Sequence, residues 1–171
     1  MRLGARTKGA AMLCALWASA GLVGCHPEST APVQEDAVHG ENGHVHHHAA
    51  PHGGTLVALG EHVAHIELVL EPEEGYLTAY VLDGEAEHAV RIAARNISVE
   101  ISIEGKPSQT LDLFAVSNPL TGETEGDTSE FSGQSDALKG LARFSGSVGK
   151  VTVRGIDFDG VAFSYPEGNE E

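Results

Sequence analysis

The chain has 171 residues and carries 25 Asp and Glu against 10 Lys and Arg, a net charge of −15 with His neutral. This acidic excess excludes nucleic acid as a partner, because nucleic-acid binding depends on neutralising phosphates with Lys and Arg. The only cysteines are Cys14 and Cys25, and both methionines, Met1 and Met12, lie in the same N-terminal stretch. The remaining sequence therefore cannot form a disulfide, a blue-copper site, a soft Cu(I) site or a redox-active thiol pair.

Residues 1–24 have the pattern of a secretory signal peptide. Three basic residues precede an uncharged run from Ala10 to Gly24, which is shorter than the about 20 apolar residues that a spanning helix needs. The run ends in Leu-Val-Gly-Cys, which resembles the lipobox of bacterial lipoproteins, where the signal is cut just before the Cys and the thiol receives a diacylglycerol. We therefore predict lipidation of Cys25 and stable anchoring to a membrane; an ordinary signal peptide with a chance Cys is the alternative.

Cleavage before Cys25 would change the charge balance further. The mature chain would keep seven Lys and Arg against 25 Asp and Glu, a net charge of −18. Such a chain attracts cations and is repelled by anionic lipid headgroups, so the acyl chains and not charge would hold it at the membrane. The predicted location is the bacterial cell envelope, with the mature chain facing the periplasm.

Residues 25–51 are predicted to form a flexible linker, because Pro, Gly, Ser, Thr and acidic residues dominate and large apolar side chains are almost missing. Six of the ten histidines fall within fourteen residues here, and we call them the His tract. Its members are His39, His44, His46, His47, His48 and His52. Dense imidazoles on a flexible segment predict binding of Zn²⁺, Ni²⁺ or Cu²⁺ with little selectivity. The alternative is a polar spacer that titrates near neutral pH.

Residues 52–166 have β patterns and are predicted to form one domain, followed by an acidic tail at 167–171. The predicted strands are Thr55–Leu59, His62–Leu70, Tyr76–Leu82, His88–Ile92, Asn96–Glu104, Gln109–Val116, Lys150–Arg154 and Ile156–Tyr165. Ser135 is placed to cap a short helix over 136–141. Short strands at this spacing predict a mainly β fold, either an antiparallel β-sandwich or a small Greek-key barrel with one short helix.

A second group of candidate metal ligands lies in the predicted domain. His62, His65 and His88, together with His52 of the tract, could join a site. The possible oxygen ligands nearby are Glu61, Glu67 and Glu87. In a regular strand, however, His62 and His65 would point to opposite faces, so only a bulge would let both bind one ion. Surface or edge histidines without a ligand are the alternative. No Cys nucleophile, Gly-x-Ser-x-Gly elbow or phosphate-binding Gly loop is present, so we expect a protein that is not an enzyme.

The run from His52 to Tyr80 contains Pro-His-Gly-Gly-Thr-Leu-Val-Ala-Leu-Gly, then His-Ile-Glu-Leu-Val-Leu and Leu-Thr-Ala-Tyr-Val. It resembles the His-Gly-Gly β-domain of small bacterial envelope lipoproteins of unknown function, as do the segments that begin at Phe131 and at Val153. It is also similar to an N-terminal segment of the periplasmic adaptor subunits of heavy-metal efflux pumps. The resemblance implies a cell-envelope β-domain with a metal-related association and brings no catalytic residue.

Two functions remain in view from the sequence. The first is a membrane-anchored envelope lipoprotein that binds or buffers divalent transition metal ions through its His-rich tether. The second is an envelope protein–protein interaction module in which the His tract is only a spacer. No organic cofactor is expected for either.

Overall fold

A computed structural model of the protein describes residues 48–169. The predicted signal peptide, the lipidation site at Cys25 and four members of the His tract lie outside the described residues. Those four are His39, His44, His46 and His47. Within residues 48–169 no helix has the length and apolar character needed to cross a membrane.

The described part of the chain is built from ten β-strands and one single-turn 3₁₀ helix. The strands are β1 (Thr55–Leu59), β2 (Ala64–Glu71), β3 (Tyr76–Leu82), β4 (Asn96–Ser102), β5 (Gln109–Ala115), β6 (Glu130–Gln134), β7 (Phe144–Val148), β8 (Val151–Val153), β9 (Ile156–Phe158) and β10 (Val161–Tyr165). All paired strands are antiparallel, which confirms the predicted mainly β fold.

Eight of these strands form one sheet in the order β1-β2-β3-β6-β5-β4-β7-β10, while β8 and β9 form a separate hairpin. The chain crosses from β3 to β4, and the β4-β5-β6 meander then returns to place β6 beside β3. This is a Greek-key arrangement. The sheet curls until its two edge strands, β1 and β10, are near each other, so the architecture is an almost closed barrel.

The seam between the edge strands is bridged by residues that follow β10. The side-chain amide of Asn169 accepts the N–H of Ala58 at 2.8 Å and donates to its carbonyl at 3.1 Å, as a strand residue would. Thr55 Oγ1 also donates to the carbonyl of Pro166 at 3.1 Å. The Asn169 and Pro166 contacts hold this end of the described chain against β1.

The core follows from alternation along the strands. Every second residue of β2 and β4 points inward, so that Ile66, Leu68, Ile97 and Val99 are at most 1% exposed. These pack in one cluster with apolar residues from all the remaining strands of the sheet and from β8. Phe131, the largest of the fully buried side chains, is the second residue of the short strand β6.

Several predicted boundaries differ from the structure. β6 and β7 were not predicted, because Gly and Ser supply half of their residues and leave no apolar alternation. Gly146 of β7 is required by close packing: a Cβ there would lie 2.8 Å from the ring of Phe163. Residues 88–92 make only isolated bridges, and the predicted strand at 156–165 is two strands, β9 and β10. The predicted helix is a 3₁₀ turn over Asp136–Leu138, capped by the Ser135 side chain as expected.

Candidate metal centre

The outer face of β2 is covered by the segment that precedes β1. Glu67 is fully buried there, and its Oε1 accepts the backbone N–H groups of His52 and Gly54, each at 2.8 Å. Its Oε2 lies 2.7 Å from Nδ1 of His52, whose ring stacks on Tyr80 with 3.8 Å between centroids. A buried carboxylate needs several donors to offset its desolvation, and these three bonds provide them. Glu67 therefore fixes the start of the domain onto the sheet.

The environment of Tyr80 reflects the same burial. Loss of solvent raises the pKa of the Tyr80 phenol, and the nearby carboxylates Glu130, Glu67 and Glu71 raise this pKa further. The phenol therefore stays neutral across the physiological range and presents its ring face to His52.

Two residues before Glu67, on the same face of β2, His65 lies close to two other histidines. His48, His62 and His65 each offer a ring nitrogen, and these nitrogens all lie within 4.8 Å of one another. The ring centroids are 4.8 to 5.6 Å apart. His65 is fully buried, His48 is half-buried and His62 is exposed, so the group opens to solvent on one side. We call these three residues the His triad, and they can hold a metal ion.

The position of His62 is set by the turn between β1 and β2. Gly60 and His62 both have left-handed backbone conformations, with φ of 64° and 56°, and the Val63 N–H donates to the Leu59 carbonyl at 3.1 Å. A φ this positive is uncommon outside glycine and is often found at functional sites. The prediction of a strand beginning at His62 is therefore wrong: β2 begins at Ala64.

This turn removes the objection to a shared ion. The opposite-face argument applies to residues three apart in a regular strand, but only His65 is in the strand. The left-handed turn directs His62 back toward the outer face of β2, and its ring centroid lies 5.6 Å from that of His65.

Three consecutive residues after β3 each contact one member of the His triad. The carbonyl of Asp83 lies 3.1 Å from Nδ1 of His65, and the carbonyl of Glu85 lies 3.2 Å from Nδ1 of His48. Between them the Gly84 backbone packs so closely on the His62 carbonyl that any Cβ there would collide with it. One loop therefore contacts all three residues, through the imidazoles of His65 and His48 and through the backbone of His62.

These contacts determine which ring nitrogen is available to a metal. A carbonyl oxygen only accepts hydrogen bonds, so Nδ1 of His65 and Nδ1 of His48 must each carry the hydrogen. In the neutral ring Nε2 then carries the lone pair that binds a metal. Fixing the tautomer of a histidine through a backbone carbonyl is the usual outer-shell arrangement in metal sites.

The supporting loop is itself held by the Asp83 carboxylate. Its Oδ1 accepts the backbone N–H groups of Glu87 at 2.9 Å and His88 at 3.2 Å, and Oδ2 lies 3.1 Å from the His88 ring. These bonds, led by the one from Glu87, lower the pKa of Asp83. Ala86 is nearly inaccessible and has a φ of 56°, so the loop is a tight, defined structure.

The structure distributes the predicted ligands unevenly. His48 of the His tract joins His62 and His65, two candidates from the domain, whereas His52 is bound to Glu67 and His88 is paired with Asp83. Sequence reasoning considered His52 as the tract member that could join the domain histidines, and it assigned His48 to the tether alone. The His-x-x-His spacing after a Gly turn is a signal that could have indicated the rim site, but nothing in the sequence connects it to His48.

Comparisons of the chain with protein-family models, with curated proteins and with solved structures give no match. The class of site is therefore defined by geometry alone. It is a group of three imidazoles on the rim of an antiparallel β-barrel, supported by backbone carbonyls and able to hold a metal ion.

Proposed function

We propose that this protein is an envelope lipoprotein that captures divalent transition metal ions at the His triad. One observation carries the proposal: three histidines from two parts of the described chain converge, and two of them have Nδ1 held by carbonyls of one loop. Hydrogen bonds of this kind orient an imidazole before the ion arrives, which reduces the entropic cost of binding.

The chemistry of the donors favours a limited set of ions. Imidazole nitrogen suits Zn²⁺, Cu²⁺ and Ni²⁺, while Ca²⁺ and Mg²⁺ prefer oxygen ligands. Three protein ligands leave at least one coordination position for water or an incoming donor, in contrast to the four ligands of a closed structural zinc site. Because the triad also opens to solvent at His62, exchange of the ion is expected, which suits buffering or transfer better than permanent retention.

The proposal assigns the remaining tract histidines a capture role. His48 belongs to both the His tract and the His triad, so ions collected by the other histidines of the tract would be delivered close to the triad. The net charge of −18 after Cys25 would raise the local concentration of cations. Anchoring through Cys25 and exposure to the periplasm belong to the same proposal.

Calorimetric titration of Zn²⁺, Cu²⁺ and Ni²⁺ into the chain from His26 onward tests the proposal. We expect the double variant H62A/H65A to weaken the tightest binding event by at least about a hundredfold, since each ligand of a protein zinc site contributes several kcal/mol. A second variant with alanine at the four histidines that precede His48 should keep that event and lose only weaker ones. The matched control is His88→Ala, which removes an exposed imidazole but leaves both backbone bonds to Asp83.

Two results would contradict the proposal. Tight binding that survives in H62A/H65A but disappears without the four tract histidines would place the function in the tether alone. Absence of binding by the unmodified chain would remove the metal function altogether.

A second candidate is docking to another envelope protein, and exposed apolar side chains favour it. Phe114 is 61% exposed at the end of β5 and Leu120 is 96% exposed in the loop that follows. Large apolar side chains exposed to solvent mark a binding site for proteins when they form one contiguous patch, and this candidate requires that Phe114 and Leu120 belong to such a patch. Loss of a co-purifying envelope partner from the double variant F114S/L120S, with metal binding unchanged, would support this candidate.

A further inference from the structure

A groove of about 490 Å³ lies between residues 91–94 and the β8–β9 hairpin. Its charged lining consists of Arg91, Lys150 and Arg154, and no carboxylate lines it. The chain has only seven Lys and Arg after Cys25, so three of the seven converge on one groove of an otherwise acidic protein. In a chain with so many more acidic than basic residues, a groove lined by three cations and no carboxylate is not expected by chance.

Each of the three cations is presented in a different way. Arg154 and Gly155 have φ of 52° and 78° and form the tight turn of the β8–β9 hairpin, the conformation of a type I′ turn. Within residues 48–169 the Arg154 guanidinium has no ion-pair partner. Lys150 is paired with Asp157 at 3.0 Å, but both side chains are more than half exposed, and such pairs contribute little.

Arg91 is held in place by residues that do not line the groove. One of its terminal nitrogens donates to the carbonyl of Thr121 at 2.5 Å, the other donates to Asp127 at 3.3 Å, and its Nε lies 3.9 Å from Glu123. A guanidinium has five N–H groups, so these contacts orient the fork and leave further donors for a ligand. An arginine held in this way binds an anion with little additional loss of side-chain entropy.

We propose that this groove binds the phosphate group of an organic ligand. Two guanidinium forks and one ammonium match the three oxygens and the double negative charge of a phosphate monoester, whereas a carboxylate would need only one of them. The apolar side of the groove, formed by Ala93, Ala94 and Val151, would contact the organic part of the ligand. The site is independent of the His triad and of the proposed metal function.

The surrounding charge gives the proposal a specific consequence. A net charge of −18 repels anions at long range, so binding must depend on the short-range contacts with the three cations. Affinity for the ligand should therefore depend on each groove cation separately and not on the total number of positive charges in the chain.

The test is a titration followed by ¹⁵N–¹H NMR on the chain from His26 onward, with inorganic phosphate and then phenyl phosphate as probes. We expect saturable shifts confined to residues 91–94 and 150–155, with tighter binding of phenyl phosphate. Arg154→Gln should weaken binding about tenfold, as loss of a charge-assisted hydrogen bond does. Lys106→Gln is the matched control, since it removes one exposed positive charge from the β4–β5 turn. Thermal unfolding of both variants verifies that they fold.

A further arm identifies the source of the phosphate. Vesicles of phosphatidylcholine alone and with added phosphatidic acid, whose headgroup is a phosphate monoester, are compared in a sedimentation assay. Groove-dependent binding to the anionic vesicles alone would assign the site to a lipid headgroup, and binding of phenyl phosphate alone would assign it to a soluble ligand. Equal weakening by Arg154→Gln and Lys106→Gln, shifts outside the groove, or no saturable response to either source would overturn the proposal.

Discussion

The two faces of β2 are both closed to solvent, but their burial has different physical origins. Ile66 and Leu68 on one face are 0% exposed in the apolar core, and His65 and Glu67 on the other face are 0% exposed as well. The apolar side chains gain free energy simply by leaving water. The polar side chains lose free energy on burial unless each donor and acceptor has a partner.

The partners on the polar face come from two segments. Residues 48–54 supply donors to Glu67, and residues 83–88 supply an acceptor to His65. The polar face is therefore ordered by specific hydrogen bonds, and the apolar face is ordered by the packing of side chains that leave water. The difference shows how a barrel can stabilise itself with one face of a strand and build a binding site with the other. The following predictions test this division.

The largest effect is expected for Ile66→Ala on the apolar face. Removing a fully buried side chain leaves a cavity and should lower the free energy of unfolding by about 3–4 kcal/mol. The metal affinity of the folded variant should not change, because Ile66 points away from the His triad. Urea unfolding measures the first quantity and calorimetry the second. A loss of metal affinity would show that the two faces of β2 are coupled.

Glu67→Ala on the polar face should lower the free energy of unfolding by about 2–3 kcal/mol, because two backbone N–H groups and the His52 ring lose their acceptor. It should also weaken metal binding, since the segment that carries His48 is no longer fixed. Glu67→Gln, which retains one acceptor oxygen, is the control and should lose less of both. Unchanged metal affinity in Glu67→Ala would mean that His48 is positioned without this carboxylate.

Glu123 tests whether a buried carboxylate away from β2 also depends on its hydrogen-bond donors. Hydrogen bonds from the Ser129 and Thr121 hydroxyls lower the pKa of Glu123 below its ordinary value of 4.5. Its stabilisation is therefore fully present above pH 4.5 and is lost as the pH falls through the lower pKa of the folded state.

The variant Glu123→Gln should be about 2 kcal/mol less stable than the unmodified chain near neutral pH, because the charged acceptor is lost. The difference should shrink in acid, where Glu123 is itself protonated. Denaturant unfolding of both proteins at a series of pH values measures this. A difference that is constant across the acid range would show that the charge of Glu123 makes no contribution.

The smallest effect is expected from Asp83→Ala, which leaves every member of the His triad in place. Without the carboxylate, the bonds from the Glu87 and His88 N–H groups are lost and the loop that carries the supporting carbonyls is less fixed. Metal affinity should fall about tenfold, the lower end of the usual range for a residue outside the ligands. Asp83→Asn keeps one acceptor oxygen and should recover most of the affinity. Equal metal affinity of Asp83→Ala and the unmodified chain would show that the Asp83 carboxylate is not needed to position the His triad.

The mainly β fold could be predicted because alternation of apolar and polar residues marks β1 to β5 in the sequence. The missed strands, β6 and β7, have few large side chains, and they are held in the sheet by backbone pairing with β3 and β4 and by the buried rings of Phe131 and Phe144. Their small residues are fitted to a close approach of backbones, as Gly133 is to the Asp112 carbonyl. Such packing is determined by the tertiary structure and leaves no periodic signal.

The candidate site was predictable only in its parts. His62 and His65 were both named as possible ligands, but the positive φ of His62 depends on the turn and on the packing of Gly84 against it. The approach of His48 depends on the Glu85 carbonyl, 37 residues away in sequence. Long-range contacts of this kind bring the ligands together, and no local pattern of residues encodes them.

The amide bridge at the seam of the barrel has a mechanical consequence. Strand β1 and the segment that leaves β10 are next to each other, joined at Ala58 and Asn169 by two hydrogen bonds of a single side chain. A pull on the chain ahead of β1 would load this pair and the β1–β2 ladder before it reached the core. The strand that follows the His tract is thus the first to be pulled from the sheet under tension. The outer face of β2 would then be exposed to solvent.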